Sequence, residues 1–326
     1  MPDLKTIYNI LIRIYGSEKG DKAFNKIKPL LNRFSARASE RETFFSHDDV
    51  VLITYGDSLN AEDRAPLSVL NEFARDYLQD SFSGIHILPF FPYSSDDGFS
   101  VIDFKKVNSK LGNWADIRHL GNTFELMFDL VLNHISAQSD WFQNYLKQKE
   151  GFECLAIEVC DDDDMSCVVR PRTTPLLTEF SKTNGEPVMV CTTFSADQVD
   201  LNFRSLDVLE KIIDVLLFYV QQGARLIRLD AIAYLWKEPG TCCIHLGQTH
   251  DVVKLFRAIL DQVAPDAVII TETNVPHVEN ISYLGDGRNE AQMVYNFTLP
   301  PLLLYSFLKE DRSEEHTSEL QSLLII

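Results

Sequence analysis

A chain of 326 residues with 45% hydrophobic and 24% charged content is long enough to bury a large core, and too apolar to be disordered, collagen-like or low-complexity. Its formal charge of −18 repels polyanions, so neither nucleic acid nor an anionic membrane surface is an expected partner, and an anionic co-substrate needs arginines gathered locally against that field. No run approaches the ~18 apolar residues that cross a bilayer, the start Met1-Pro2-Asp3-Leu4-Lys5 has no signal-peptide character, and the six cysteines lack C-x-x-C spacing, so a cytoplasmic protein with free thiols is expected.

Residues 1–45 read as a helical extension, because Ile7, Ile10, Leu11 and Ile14 recur at helical spacing and Ile27, Leu30 and Leu31 continue the apolar content. The period then changes. Short apolar runs at 50–55, 85–88, 126–131, 226–230, 268–272 and, more weakly, 293–297 suit buried parallel strands, with amphipathic stretches such as 207–222 between them. This alternation predicts an α/β fold of helices on a parallel sheet. No strand leads into a G-x-G-x-x-G turn, and each run closes in Asp, Glu, Asn or His, which favours a (β/α)8 TIM barrel with its site at the C-terminal face. The expected division is barrel strands 1–3 over 46–149, an inserted subdomain over 150–196 and strands 4–6 over 197–311. That makes an incomplete barrel of about six of eight strands.

The insertion carries the acidic run 161–164, Pro171, Pro175 and the turn signal Asn184-Gly185. The acidic run reads as a solvated loop rather than a calcium site. Cys154, Cys160 and Cys167 lack the spacing of known zinc patterns, so no metal is expected. Residues 312–326 read as the translation of a sequencing-adapter oligonucleotide and are set aside.

Chemistry concentrates at the ends of two runs. In Arg228-Leu229-Asp230 the charged residues lie two apart and share one face of a strand, which implies an ion pair holding Asp230 ionised. That pattern fits a carboxylate nucleophile and, equally, a structural salt bridge. Glu272 ends the next run, so in a closed barrel the two carboxyls project over the same end, as a retaining glycosyl-transfer mechanism requires. Asp103 and the pair Asn133-His134 follow the second and third strands, where they can hydrogen-bond sugar hydroxyls or serve as ordinary loop polarity. Arg170-Pro171-Arg172 offers guanidinium groups for a phosphate or a balance for nearby acids.

Four blocks resemble the α-amylase superfamily of glycoside hydrolases (glycoside hydrolase family 13), and within it the sucrose phosphorylase group, nearest its glucosylglycerate phosphorylase branch. They are Gly98-Phe99-Ser100-Val101-Ile102-Asp103, Asp129-Leu130-Val131-Leu132-Asn133-His134, Arg228-Leu229-Asp230-Ala231-Ile232-Ala233-Tyr234 and Ile270-Thr271-Glu272-Thr273-Asn274. The resemblance implies Asp230 as nucleophile, Glu272 as general acid/base and Arg228 as the brace of the nucleophile. It implies Asp103 and His134 on the glucosyl ring, Tyr234 on the acceptor side, and no cofactor other than inorganic phosphate as co-substrate. The expected activity is retaining phosphorolysis of sucrose-like α-glucosides or glucosylglycerate to α-glucose 1-phosphate; hydrolysis or transglucosylation by the same two carboxyls is the alternative. A third carboxylate, expected in a histidine–aspartate pair after the seventh strand, has no match here. The chain on its own is therefore expected to fold poorly or to be inactive; a non-catalytic relative that kept the barrel for binding or assembly is a third reading, disfavoured because Asp230 and Glu272 are both present. Oligomeric state is not legible.

Overall fold

A computed structural model describes residues 4–34 and 43–310, so segment 312–326 lies outside the described residues. Two amphipathic helices come first: α1 (Leu4–Tyr15) buries Ile7, Ile10, Leu11 and Ile14, and α2 (Ser17–Asn32) buries Ala23, Ile27, Leu30 and Leu31. Gly16, at φ 76°, makes the bend between them. Arg13 bonds Asp251 at 2.7 Å, and Lys26 reaches Asp207 and Glu210, so the pair is fastened to the outer helices of the main domain.

The main domain runs β1 (Val51–Thr54), α3 (Pro66–Tyr77), β2 (Gly84–Ile87), α4 (Trp114–Leu120), β3 (Glu125–Val131), β4 (His134–Ser136) and α5 (Asp140–Leu146). It continues through β5 (Leu177–Ser181), β6 (Pro187–Cys191), β7 (Gln198–Asp200), α6 (Leu206–Gln221), β8 (Ala224–Asp230), α7 (Gly247–Val263), β9 (Val268–Thr271), α8 (His277–Ile281), β10 (Met293–Val294) and α9 (Leu299–Lys309). Strands β1, β2, β3, β8, β9 and β10 form one sheet in that order, and every adjacent pair is parallel. Curled with helices outside, it is an incomplete (β/α)8 barrel.

Residues pointing outward from the strands meet the helices in one core, where Phe91 stacks on Tyr219 at 5.3 Å and Phe128 meets both Phe90 and Tyr219 edge-on. Residues pointing inward, Met127, Leu226, Val268, Ile270 and Met293, form a second small cluster. Beside it a ≈480 Å³ cavity runs between the two free edges, β1 and β10. The weak run at 293–297 pairs over only two residues, after which Tyr295 donates its N–H to Thr271 and the chain leaves the sheet.

The insertion is anchored at its base by the antiparallel pair β4 and β7, and its own hairpin, β5 with β6, turns through Asn184-Gly185 with Gly185 at φ 87°. Of the cysteines weighed for metal, Cys154, Cys160 and Cys167 are exposed. In the acidic run Asp163 accepts the Cys160 N–H and Asp164 accepts from Ser166, so these carboxylates cap local turns. Among the described residues no helix is long and apolar enough to cross a membrane.

Candidate active site

The register of the sheet explains how the two carboxyls meet. Asp129 lies opposite Arg228, Val131 opposite Asp230, and Leu229 opposite Thr271, so Glu272 is the next residue alongside Asp230 at the C-terminal end of the neighbouring strand. Parallel strands run about 4.8 Å apart, and the ladder continues through the Glu272 N–H, which bonds Leu229 O at 3.1 Å. Ala231 then turns into the left-handed region at φ 59° and aims its N–H at Glu272 Oε2, 3.2 Å away.

One guanidinium serves both. Arg228 Nη1 donates to Asp230 Oδ1 at 2.8 Å and to Asp129 Oδ1 at 2.6 Å, while Nη2 lies 3.9 Å from Glu272 Oε1. Its charged plane is held between the rings of Phe99 and Tyr295, at 5.5 and 5.2 Å. Asp129 also bonds His86 Nε2 at 2.8 Å, so a row of His86, Asp129, Arg228, Asp230 and Glu272, buried at its first two members and at Asp230 and half-buried at Arg228 and Glu272, crosses four adjacent strands.

Burial sets the protonation of this row. It lifts Asp230 above its ordinary value despite the pull of Arg228 and His134, so these groups oppose but do not cancel the cost of desolvation. Burial and the neighbouring Asp230 charge push Glu272 up to about 7. Asp129 is buried as deeply, yet His86 and Arg228 together hold it below its ordinary value. Asp230 has the short charge-assisted bond to Arg228 and Glu272 only the long one, so a single proton shared by the two resides on Glu272. The arrangement places an ionised carboxylate beside a protonated carboxyl.

His134 stands next to this pair, kept neutral by burial against the attraction of Asp230 and Asp200, with Nε2 at 3.1 Å from Phe99 O. Tyr234 follows on the short turn after β8; burial and then Glu272 raise its hydroxyl pKa, and its ring meets Phe194 edge-on. The turn is pinned from below by Lys237, whose buried ammonium bonds Tyr234 O at 2.5 Å and pairs with Asp200 at 3.3 Å.

Two expected residues are not brought to this cluster. Asp103 is held by Lys106 at 2.8 Å and by the Lys105 N–H, and it lines a separate cavity with Lys105, Trp141 and Asp214. The reason is local: Ile102 N–H bonds Pro92 O and Val101 bridges Tyr93, a pairing that presents Phe99 to Arg228 and turns Asp103 to the outer helices. Arg170 is exposed and its guanidinium is engaged by Thr174 O. Arg172, by contrast, lines a ≈300 Å³ cavity with Ser95, Asp96, Phe194, Ser195 and Gln198. Gln198, whose Nε2 is 3.0 Å from His134 Nε2, carries no sequence signal beyond its place before Val199-Asp200. Asp129 and His86 were visible as polar residues inside apolar runs, a placement that needs a partner.

Because Asp129 is fully buried between His86 and Arg228, replacing it with asparagine leaves Arg228 short of one carboxylate in a dry site. The variant is expected to lose about 3–5 kcal/mol of stability, read as a lower urea midpoint with an unchanged slope.

The fold and site together define an incomplete parallel barrel with two carboxyls side by side at the C-terminal ends of adjacent strands. The α-amylase catalytic-domain family model matches residues 74–318, and the chain belongs to that family. Glucosylglycerate phosphorylase of Spirochaeta thermophila is 52% identical over 320 residues, covering 96% of this chain and 54% of the relative. The protein of that name from Escherichia coli is 49% identical, covering 94% and 55%. The crystal structure of sucrose 6F-phosphate phosphorylase from Thermoanaerobacter thermosaccharolyticum superposes with a TM-score of 0.71 at 29% identity, covering 82% of this chain and 55% of that one. The chain thus spans about half the length of the curated relatives it matches.

Proposed function

We propose that this chain carries the nucleophile and acid/base half of a retaining α-glucosyl phosphorylase acting on glucosylglycerate or a sucrose-like α-glucoside. The observation that carries this reading is the pairing of Asp230, braced by Arg228, with the proton-bearing Glu272 in register on the next strand. In the first step an Asp230 oxygen bonds to the anomeric carbon as the glycosidic C–O bond breaks, and Glu272 gives its proton to the departing oxygen. In the second, a phosphate oxygen attacks that carbon, its proton passes to Glu272, and Asp230 leaves as a carboxylate. Two inversions yield α-glucose 1-phosphate with net retention.

Choice of phosphate over water is supported by the relatives' names and by Arg172, a guanidinium facing the substrate side in a chain whose overall charge repels anions. His134 and Tyr234 bind on either side of the reacting carbon, the first toward the glucosyl ring and the second toward the acceptor. The test is to carry the chain to its relatives' full length and supply glucosylglycerate, sucrose or sucrose 6-phosphate with and without phosphate. Glucose 1-phosphate formed only when phosphate is present is the expected result. Free glucose released at the same rate without phosphate contradicts it.

A further inference from the structure

We propose that the N-terminal helical pair positions the acceptor side of the site: Tyr15 and Lys19 hold Trp236 in place, and Trp236 fixes the turn that carries Tyr234. The inference rests on the glucosyl transfer proposed above, with Tyr234 facing the acceptor.

α1 lies on α7 and α2 on α6. These two helices follow and precede β8 in the chain, so the pair brackets the strand that ends in Asp230. At the bend between α1 and α2, Tyr15 donates its hydroxyl to Phe203 O at 2.7 Å and Lys19 donates to Arg204 O at 2.6 Å. Both bonds hold the loop between β7 and α6. The Tyr15 ring, with the Lys19 ammonium 5.5 Å from its centre, meets the Trp236 ring at 6.1 Å. The Arg204 guanidinium lies 5.9 Å from the same indole, so Trp236 is held by Tyr15 and by the loop that Tyr15 and Lys19 fasten.

Trp236 is buried, yet its indole N–H has no hydrogen-bond partner among the described residues, so packing sets the place of its side chain. Beside it a ≈180 Å³ cavity, lined also by Met165, Arg204 and Pro239, leaves the ring room to tilt once Tyr15 is gone. Such a tilt reaches the site over a short path. Trp236 is two residues from Tyr234 and adjacent to Lys237, whose ammonium bonds Tyr234 O and pairs with Asp200. Tyr234 meets Phe194 edge-on, and Phe194 lies 5.1 Å from the His134 ring. The two carboxyls are outside this path, because Arg228 and the strand ladder hold them independently of the turn. Loss of Tyr15 therefore disturbs where an acceptor sits and leaves the nucleophile in place.

The experiment uses the protein at its relatives' full length, with α-glucosyl fluoride as donor and glycerate or fructose as acceptor. The fluoride burst reports formation of the glucosyl-enzyme. The ratio of glucoside to free glucose reports how that species is shared between acceptor and water, and is independent of the folded fraction of the sample. Tyr15→Ala is expected to lower the ratio about tenfold with the burst rate unchanged. Tyr15→Phe, which keeps the ring and loses the bond to Phe203 O, should fall between it and wild type. Tyr15→Leu, nearer in volume, supplies a second variant without the ring. Lys26→Gln unfastens the same pair from Asp207 and Glu210, away from Trp236, and should keep the wild-type ratio. A wild-type ratio in the ringless variants, an equal fall in Lys26→Gln, or a burst that falls with the ratio overturns the positioning role and leaves the activity standing. Wild-type protein that forms no glucoside from either acceptor overturns both.

Discussion

In the protein at its relatives' full length, replacing Asp230 with asparagine is expected to lower kcat by on the order of 10⁴-fold or more, with KM little changed. The amide keeps the size and shape of the carboxyl but has no charge with which to attack the anomeric carbon. The neighbouring interactions survive the change, because Arg228 retains its 2.6 Å bond to Asp129 and Tyr295 and Phe99 still hold its plane. A purely structural salt bridge predicts the opposite pattern, in which stability falls and turnover is kept. Kinetics and urea unfolding of the same variant therefore separate the two roles.

Glu272→Gln has the second largest expected effect, and it depends on the substrate and on pH. With a glycoside whose leaving group needs a proton, turnover is expected to fall by about 10²–10⁴-fold. With α-glucosyl fluoride, whose departure needs little acid help, the first step should be almost unaffected. Glu272 is pushed up to about 7, so in the wild-type protein the glycoside-cleaving step falls about tenfold per pH unit above that value, as the required proton is lost. The glutamine variant should show no such limb. Stability follows the same group. Its folded pKa lies above its ordinary 4.5, so its contribution is fully present below pH 4.5 and is lost as pH rises through about 7. Above pH 7 the glutamine variant is therefore expected to unfold at a higher urea concentration than wild type, and the difference should close at lower pH.

What the sequence discloses follows from which interactions are local. The barrel strands are legible because a parallel strand buried on both faces must be apolar over its length, as in Val268-Ile269-Ile270-Thr271, all buried. Asp230 and Glu272 are legible for a related reason: a charge closing an apolar run has to be accounted for. The pairing of β4 with β7 escapes notice because each is three residues long, too short for a period to register. Asp103 misleads because its direction is decided by the non-local bridge between Tyr93 and Val101. Asp96 and Gln198 are 102 residues apart and meet only through the left-handed turn at 96–98, for which the sequence shows no more than two aspartates before a glycine. Arg228, two residues away on the same strand face, predicts an ionised Asp230; the depth of burial, which raises its pKa, is a property of the assembled sheet.

During turnover the Asp230 carboxylate is expected to form a covalent bond to a glucosyl unit. Incubating the Glu272→Gln protein, at its relatives' full length and without phosphate, with α-glucosyl fluoride should accumulate that species, since the second step has lost its base. Mass spectrometry of a peptic digest is predicted to find one added glucosyl unit on the peptide that contains Asp230. A glucosyl unit on any other peptide, or fluoride release with no adduct at any time point, would contradict it.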